Sequence, residues 1–300
     1  MDKILEINHL TKHFGRLTAV NDLSLSVEKG NVYGLLGPNG SGKSTTLGMI
    51  LNVVNPSSGE WKWFGKAPSV DSLKKVGAII ERPNFYPYLS ATKNLEIVAK
   101  IKEADFSKID EKLELVGLLS RKDDKFSTFS LGMKQRLAIA AAVLNDPYVL
   151  ILDEPTNGLD PQGIIQIREI IQRIAANGTT IILASHLLDE VEKVCSHVVI
   201  LEKGKTLYCG KVDEMTASHG FFEVAAADLD RLEKALLALN CFERIAQEGK
   251  ILKGILNQDV SAESLNQKMY EQGIVLHHLV KRKESLEQQF LHITQNNGKS

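Results

Sequence analysis

The run Gly37-Pro-Asn-Gly-Ser-Gly-Lys43-Ser44-Thr45 limits what this chain can fold into more than any other stretch. It joins the apolar segment VYGLL, of strand type, to TTLGMILNVV, of helix type, so the chain must pass from a sheet into a helix through a glycine-rich turn. Backbone N–H groups of such a turn, with the positive end of the helix behind them, cradle phosphate oxygens. Lys43 brings a charge toward the outer phosphates of a nucleotide, and the Ser44 hydroxyl suits Mg²⁺. A glycine turn that merely connects strand to helix has no need of Lys and Ser in this register. The expected phosphate site therefore comprises Gly37, Pro38, Asn39, Gly40, Ser41, Gly42, Lys43, Ser44 and Thr45.

The rest of the chain fits an α/β frame around that loop. NVYGLLG, VGAII, YVLILDEP and TTIILASH are short apolar strands, each followed by loop or helix signals, which predicts an α/β domain over residues 1–215 with a mainly parallel core sheet. A stretch without strand signals, residues 82–145, reads as a helical subdomain inserted in it. Beyond it, residues 216–300 read as a small α+β accessory domain. The order there, strand, helix, strand, strand, helix, strand, is the ferredoxin-like one, with a final helix after it.

Totals exclude several classes. Lys plus Arg is 36 and Asp plus Glu is 37, for a net charge of −1, so no global field draws the chain to nucleic acid or to an anionic bilayer. Cys195, Cys209 and Cys241 have no metal-ligand spacing and fit a reducing cytosol better than a disulfide framework. No apolar run approaches the roughly 18 residues of a spanning helix, and the charged N-terminus is unlike a signal peptide. Any membrane role must pass through a partner.

Two further strand ends carry chemistry. Tyr148-Val-Leu-Ile-Leu152 runs into Asp153-Glu154, where Asp153 suits a direct or second-sphere Mg²⁺ role and Glu154 can orient or deprotonate a water. A solvated corner is the weaker reading, because four apolar residues precede the pair and Pro155 closes the strand. His186 follows the apolar TTIILAS and so ends on the same carboxyl edge of the sheet, where it is expected to contact a γ-phosphate. Other features read as structural. Trp61 and Trp63 alternate as one face of a strand would, His277-His278 point to opposite faces, and RKDDK (121–125) is a solvated loop.

In combination these segments resemble the nucleotide-binding subunit of an ABC transporter, over residues 3 to about 215. The resemblance implies that ATP and Mg²⁺ are bound. Phe14 matches the aromatic that stacks on adenine, Gly37 to Thr45 the phosphate loop, Tyr148 to Asp153 the magnesium strand, Glu154 the general base and His186 the switch histidine. Gly158-Leu-Asp160 matches a loop that crosses a dimer. The family's LSGGQ signature appears as Phe129-Ser130-Leu131-Gly132-Met133; three positions depart, but Ser130 and Gly132 keep a hydroxyl and an unhindered backbone N–H at a helix start. In the family that serine faces ATP held by a second cassette, which implies a head-to-tail dimer of this chain.

At the end of the VGAII strand the family's Gln is replaced by Glu81, which the resemblance implies touches Mg²⁺ or swings away from it. The wording IIE-x-P-x-FYP-x-L is similar to cassettes of bacterial exporters that protect against bacitracin and lantibiotics. Phe85, Tyr86 and Tyr88 are then anchors for an integral membrane permease, or else pack within the helical insertion. The chain is expected to be an ATPase, cytoplasmic and peripheral on the cytoplasmic face of the membrane. Soluble cassettes of DNA repair, chromosome organisation or translation form a second class; they resemble tandem cassettes or carry long coiled coils, and this sequence has one cassette and no sustained heptads. A regulator without turnover is a third, against which the filled positions Glu154 and His186 argue. The accessory domain could regulate the ATPase, support the dimer or stabilise the cassette.

Overall fold

Val32–Leu36, Val149–Asp153 and Thr180–Ser185 are buried along their whole length, which requires a sheet covered on both faces. The computed structural model describes residues 2–80, 83–216, 219–283 and 285–297, and these strands lie at the centre of the first of its two units, Met1–Gly210 and Lys211–Ser300.

In chain order the elements up to the border between the units are β1 (Lys3–Phe14), β2 (Leu17–Glu28), β3 (Val32–Leu36), α1 (Lys43–Ile50), β4 (Ser58–Trp63), α2 (Val70–Leu73) and β5 (Val76–Ile79). The helices α3 (Ala91–Lys102), α4 (Lys108–Leu115) and α5 (Leu131–Ala142) follow, then β6 (Val149–Asp153), α6 (Pro161–Ala176), β7 (Thr180–Ser185), α7 (Leu188–Val194), β8 (His197–Glu202) and β9 (Lys205–Lys211). Six strands form one sheet in the order β5-β6-β7-β3-β8-β9, and β5 through β8 pair in parallel. Register decides what meets at its edge. Leu36 lies opposite Ser185 and Asp153 opposite Ala184, so the residues that follow, Gly37, Glu154 and His186, emerge side by side.

A second, antiparallel sheet of order β2-β1-β4 supports α1. Trp61 and Trp63 point into the core from β4, and both indole N–H groups donate to the carbonyl of Ile50, at 3.2 and 2.8 Å. They satisfy an orphan acceptor at the C-terminal end of the helix whose N-terminal end carries the phosphate loop.

The insertion α3–α5 is held to the parallel sheet by polar ties. Lys108 and Lys112 of α4 both pair with Asp146, in the loop before β6, and the Lys112 contact measures 2.6 Å. Within the insertion, Lys102, the last residue of α3, donates to the carbonyls of Ala141 and Ala142 at 3.0 Å each, at the end of α5. In the RKDDK segment, Arg121 pairs with Asp124 and Lys122 with Asp110.

The second unit contains α8 (Val212–Thr216), β10 (Phe221–Ala226), α9 (Leu229–Leu237), β11 (Phe242–Glu248), β12 (Ile251–Leu256), α10 (Ala262–Glu271), β13 (Leu276–Arg282) and α11 (Leu286–Asn297). Its strands form an antiparallel sheet in the order β11-β12-β10-β13. Leu232 and Leu236 of α9 and Leu265 and Met269 of α10 close over Phe222, Val224 and Leu252 to make a separate core. His277 and His278 are neighbours on β13, and His278 pairs with Glu223 at 3.7 Å.

Candidate functional site

Two glycines of the phosphate loop are required by close approach. A Cβ on Gly37 would stand 2.2 Å from the Leu201 carbonyl oxygen and 2.5 Å from Ser41 Oγ. Gly42 adopts a φ of +104°, and a Cβ there would meet the Ala19 carbonyl oxygen at 2.5 Å. Held this way, the loop places Lys43, which is 6 % exposed, beneath it, while Ser44 faces solvent on the first turn of α1.

The ammonium of Lys43 donates to the carbonyls of Gly37 at 2.7 Å and Pro38 at 3.3 Å, and lies 3.7 Å from Oε1 of Glu154. The other oxygen of that carboxylate, Oε2, stands 2.7 Å from Nδ1 of His186. Glu154 itself has a φ of +48°, a conformation that costs a non-glycine residue about 1 kcal/mol or more. Its neighbours enforce it: its N–H donates to the Ala184 carbonyl at 2.9 Å, and its carbonyl accepts from Asn157 N–H at 3.1 Å. The backbone is bent so that the carboxylate reaches between Lys43 and His186. Asp153, just before it, is buried at the end of β6.

These residues line two adjoining depressions. One, of about 320 Å³, is bounded by Phe14, Leu17, the loop residues Asn39 to Thr45, and Glu154. Phe14 is half-exposed, and the Lys12 ammonium lies 4.8 Å from its ring centre. The other, of about 1100 Å³, brings Ser44 together with Asp153 and Glu154. A hydroxyl and a carboxylate on one cavity wall are hard oxygen donors, and with phosphate oxygens they form the donor set that Mg²⁺ takes.

Ser130 and Gly132 stand elsewhere. They line a cavity of about 380 Å³ with Arg136, Gly158 and Asp160, and none of the phosphate-loop residues borders it. Ser130 caps α5 by accepting from Met133 N–H at 3.3 Å, and Asp160 caps α6 by accepting from Gly163 N–H at 3.0 Å. Glu81 falls outside the described residues. Phe85, grouped with two tyrosines as a surface anchor by the sequence, is half-buried against Phe126, with ring centres 5.2 Å apart. Tyr86 and Tyr88 are 50 % and 65 % exposed and pair with each other at 5.9 Å.

Three further relationships surround these residues. Leu17 borders the loop although it belongs to β2, and Lys12 reaches Phe14 across β1. Arg168 of α6 holds Glu190 of α7 through bonds of 2.8 and 3.2 Å, tying together the helices that follow Glu154 and His186. The Leu17 and Arg168 relationships are tertiary, whereas Lys12 and Phe14 share one face of β1 at a spacing of two.

A phosphate cradle between β3 and α1, an acidic β6 end and a histidine after β7, on a parallel sheet interrupted by a helical insertion, define a nucleotide-hydrolysing cassette. The family described as ABC transporter matches residues 20–157. Bacitracin transport ATP-binding protein BcrA of Enterococcus faecalis is 37% identical over 297 residues, covering 97% of this chain and 96% of that protein. Lantibiotic transport ATP-binding protein SrtF of Streptococcus pyogenes is 42% identical over 204 residues, covering 68% and 89%. Among solved structures, cbiO1 of Clostridium perfringens, part of the ABC transporter complex cbiONQ, superposes with a TM-score of 0.65 at 27% identity, covering 80% of this chain and 97% of that one. The chain belongs to the ABC transporter ATP-binding proteins, a family that hydrolyses ATP to power transport and works with a membrane permease. Among its described residues no helix is long and apolar enough to cross a membrane.

Proposed function

We propose that this ATP-binding subunit drives a separate membrane permease that exports a peptide antibiotic, drug or lipid-like molecule. The bacitracin and lantibiotic transport relatives support that substrate class. The observation that carries the chemistry is the convergence of Lys43, Glu154 and His186 on one strand edge. Lys43 exchanges its loop carbonyls for phosphate oxygens, Phe14 stacks on the adenine, and Glu154 takes a proton from the attacking water. His186 orients that carboxylate and meets the γ-phosphate. Ser44 and Asp153 hold Mg²⁺, which neutralises phosphate charge when bound.

Ser130 and Gly132 border neither cavity of the phosphate loop, although Leu131 and Gly158 line one of them, and this supports a head-to-tail dimer, in which each ATP is enclosed by the loop of one chain and the signature serine of the other. Asp160 then lies at the seam. Tyr86 and Tyr88 are the surface aromatics suited to grip the permease, which sets the subunit on the cytoplasmic face of the membrane. We further infer that residues 216–300 form a ferredoxin-like accessory domain, a reading supported by its strand order.

Steady-state ATP hydrolysis across a protein concentration series tests the dimer: the rate per chain must climb with concentration. A rate per chain independent of concentration in a chain that remains monomeric with ATP overturns the composite site. Expression with its permease in a susceptible host tests the substrate class, and unchanged sensitivity to bacitracin and lantibiotics alike removes the peptide-antibiotic reading.

A further inference from the structure

A cavity of about 380 Å³ opens at the amino ends of the parallel strands, the opposite edge from the phosphate loop, and Asp2, Lys29, Phe64, Gly65, Lys75 and Tyr148 form most of its wall. Lys29 precedes β3, Lys75 precedes β5 and Tyr148 precedes β6, so the sheet that aligns the hydrolytic residues at one end aligns these at the other.

Its chemistry is specific. Phe64 and Tyr148 meet edge to face with ring centres 6.0 Å apart. The Lys75 ammonium stands 5.5 Å from the first ring and 5.9 Å from the second, and the Lys29 ammonium 5.9 Å from the Tyr148 ring. Neither lysine has a carboxylate partner among the described ion pairs, unlike Lys74 beside them, which pairs with Glu103 at 2.9 Å. Two ammonium groups thus lean on aromatic faces, a weak interaction at exposed sites.

Backbone strain adds a second observation. Phe64 has a φ of +53° and Gly65 a φ of +73°, in a two-residue turn closed by paired bonds of 2.9 Å between Trp63 and Lys66. Both central positions of such a turn call for left-handed residues, and Asn or Gly is the usual occupant of the first. A phenylalanine there accepts strain while its ring packs against the core and stands beside Tyr148.

We propose that this cavity binds a planar aromatic ligand carrying a phosphate, at a site separate from the ATP site. Its ring lies against Phe64 and Tyr148, and its phosphate draws the ammonium groups of Lys29 and Lys75 from the rings into charge-assisted hydrogen bonds. Asp2 at the rim disfavours a phosphate on its own side and so sets the direction in which the ligand enters.

Flavin mononucleotide, whose fluorescence reports stacking, is the probe, titrated into the full-length protein at low salt. Saturable binding is expected to be unaffected by Lys43→Ala. In Lys29→Ala/Lys75→Ala it should weaken at least about tenfold, while ATP hydrolysis stays at the wild-type rate. Riboflavin, which lacks the phosphate, and inorganic phosphate, which lacks the ring, should each bind at least about tenfold more weakly. Binding that falls with Lys43→Ala and not with the lysine pair assigns the probe to the phosphate loop and overturns the proposal. So does the absence of saturable binding, or inorganic phosphate binding as tightly as the flavin nucleotide.

Discussion

Nδ1 of His186 stands 2.7 Å from Oε2 of Glu154, across the gap between the ends of β7 and β6. The contact fixes the rotation of the carboxylate, leaving Oε1 toward Lys43 at 3.7 Å and hence toward the phosphate loop. An amide in place of that carboxylate keeps its size and loses its basicity. For Glu154→Gln, ATP hydrolysis should fall about 10²- to 10⁴-fold, the range of general-base contributions, while nucleotide still binds. Steady-state turnover measured beside equilibrium nucleotide titration checks both halves; a variant with turnover intact would remove Glu154 from its role.

Gly42 offers a test of the loop that does not touch any charged group. An alanine there must hold a φ of +104° and press its Cβ to 2.5 Å from a backbone carbonyl, that of Ala19, which cannot swing aside. Strain of this kind costs on the order of 1–3 kcal/mol. Gly42→Ala should therefore lower stability in urea by about that amount and weaken nucleotide binding with it. Gly40 makes a useful control: its φ is +81° but a Cβ finds nothing within 4 Å, so Gly40→Asn should be tolerated far better.

How much of this was legible beforehand depends on whether a feature is local. The phosphate loop, Asp153-Glu154 and His186 follow apolar strands directly, so each could be placed on the carboxyl edge from spacing alone. Trp61 and Trp63 likewise betray their shared face by alternation, and both are buried. By contrast most of β1 and the start of β2 escape period-two reading, because His9 and Asp22 adopt φ values of +52° and +59° and the register between the strands shifts repeatedly, whereas Leu23 to Val27 of β2 alternates buried and exposed. Each shift exchanges inward and outward faces and erases the pattern. Phe85 looked like its neighbours Tyr86 and Tyr88 in the sequence; only the position of Phe126, 41 residues on, separates it from them. The pairing of Arg168 with Glu190 is likewise invisible without the fold.

Asp146 ties the helical insertion to the parallel sheet, and its removal should show in stability. Burial pushes its carboxyl upward, but the hydrogen bonds from Lys108 and Lys112 outweigh this and hold it below the ordinary value of 3.8. The contribution is therefore complete above that value and disappears as the pH falls through the lowered, folded one. Since the Asp146 side chain is 52% exposed, solvent screening limits the effect to about 0.5–1 kcal/mol. Asp146→Asn should cost that much at pH 7 in urea unfolding, with the difference from wild type vanishing in acid. An equal deficit at every pH would mean that the clasp works through shape and not charge.

Lys102 gives the opposite sign. Burial at the junction of α3 and α5 lowers its ammonium from 10.5 to about 8, because the two carbonyls it contacts replace its lost hydration only in part. Between those values the unfolded chain holds a proton that the folded chain has released, so unfolding takes up protons and stability rises with pH. Below about pH 8 the full penalty of the buried charge is present. Urea unfolding of the wild type should therefore show a rising component of stability from about pH 8 toward 10.5, and Lys102→Met should lack that component. Methionine keeps a stem of similar length on the wall of the cavity that Lys102 lines with Val98 and Ala138, and omits the charge. If wild type and variant keep the same slope across this interval, the ammonium is hydrated in the folded protein and its two carbonyl contacts act only as a helix cap.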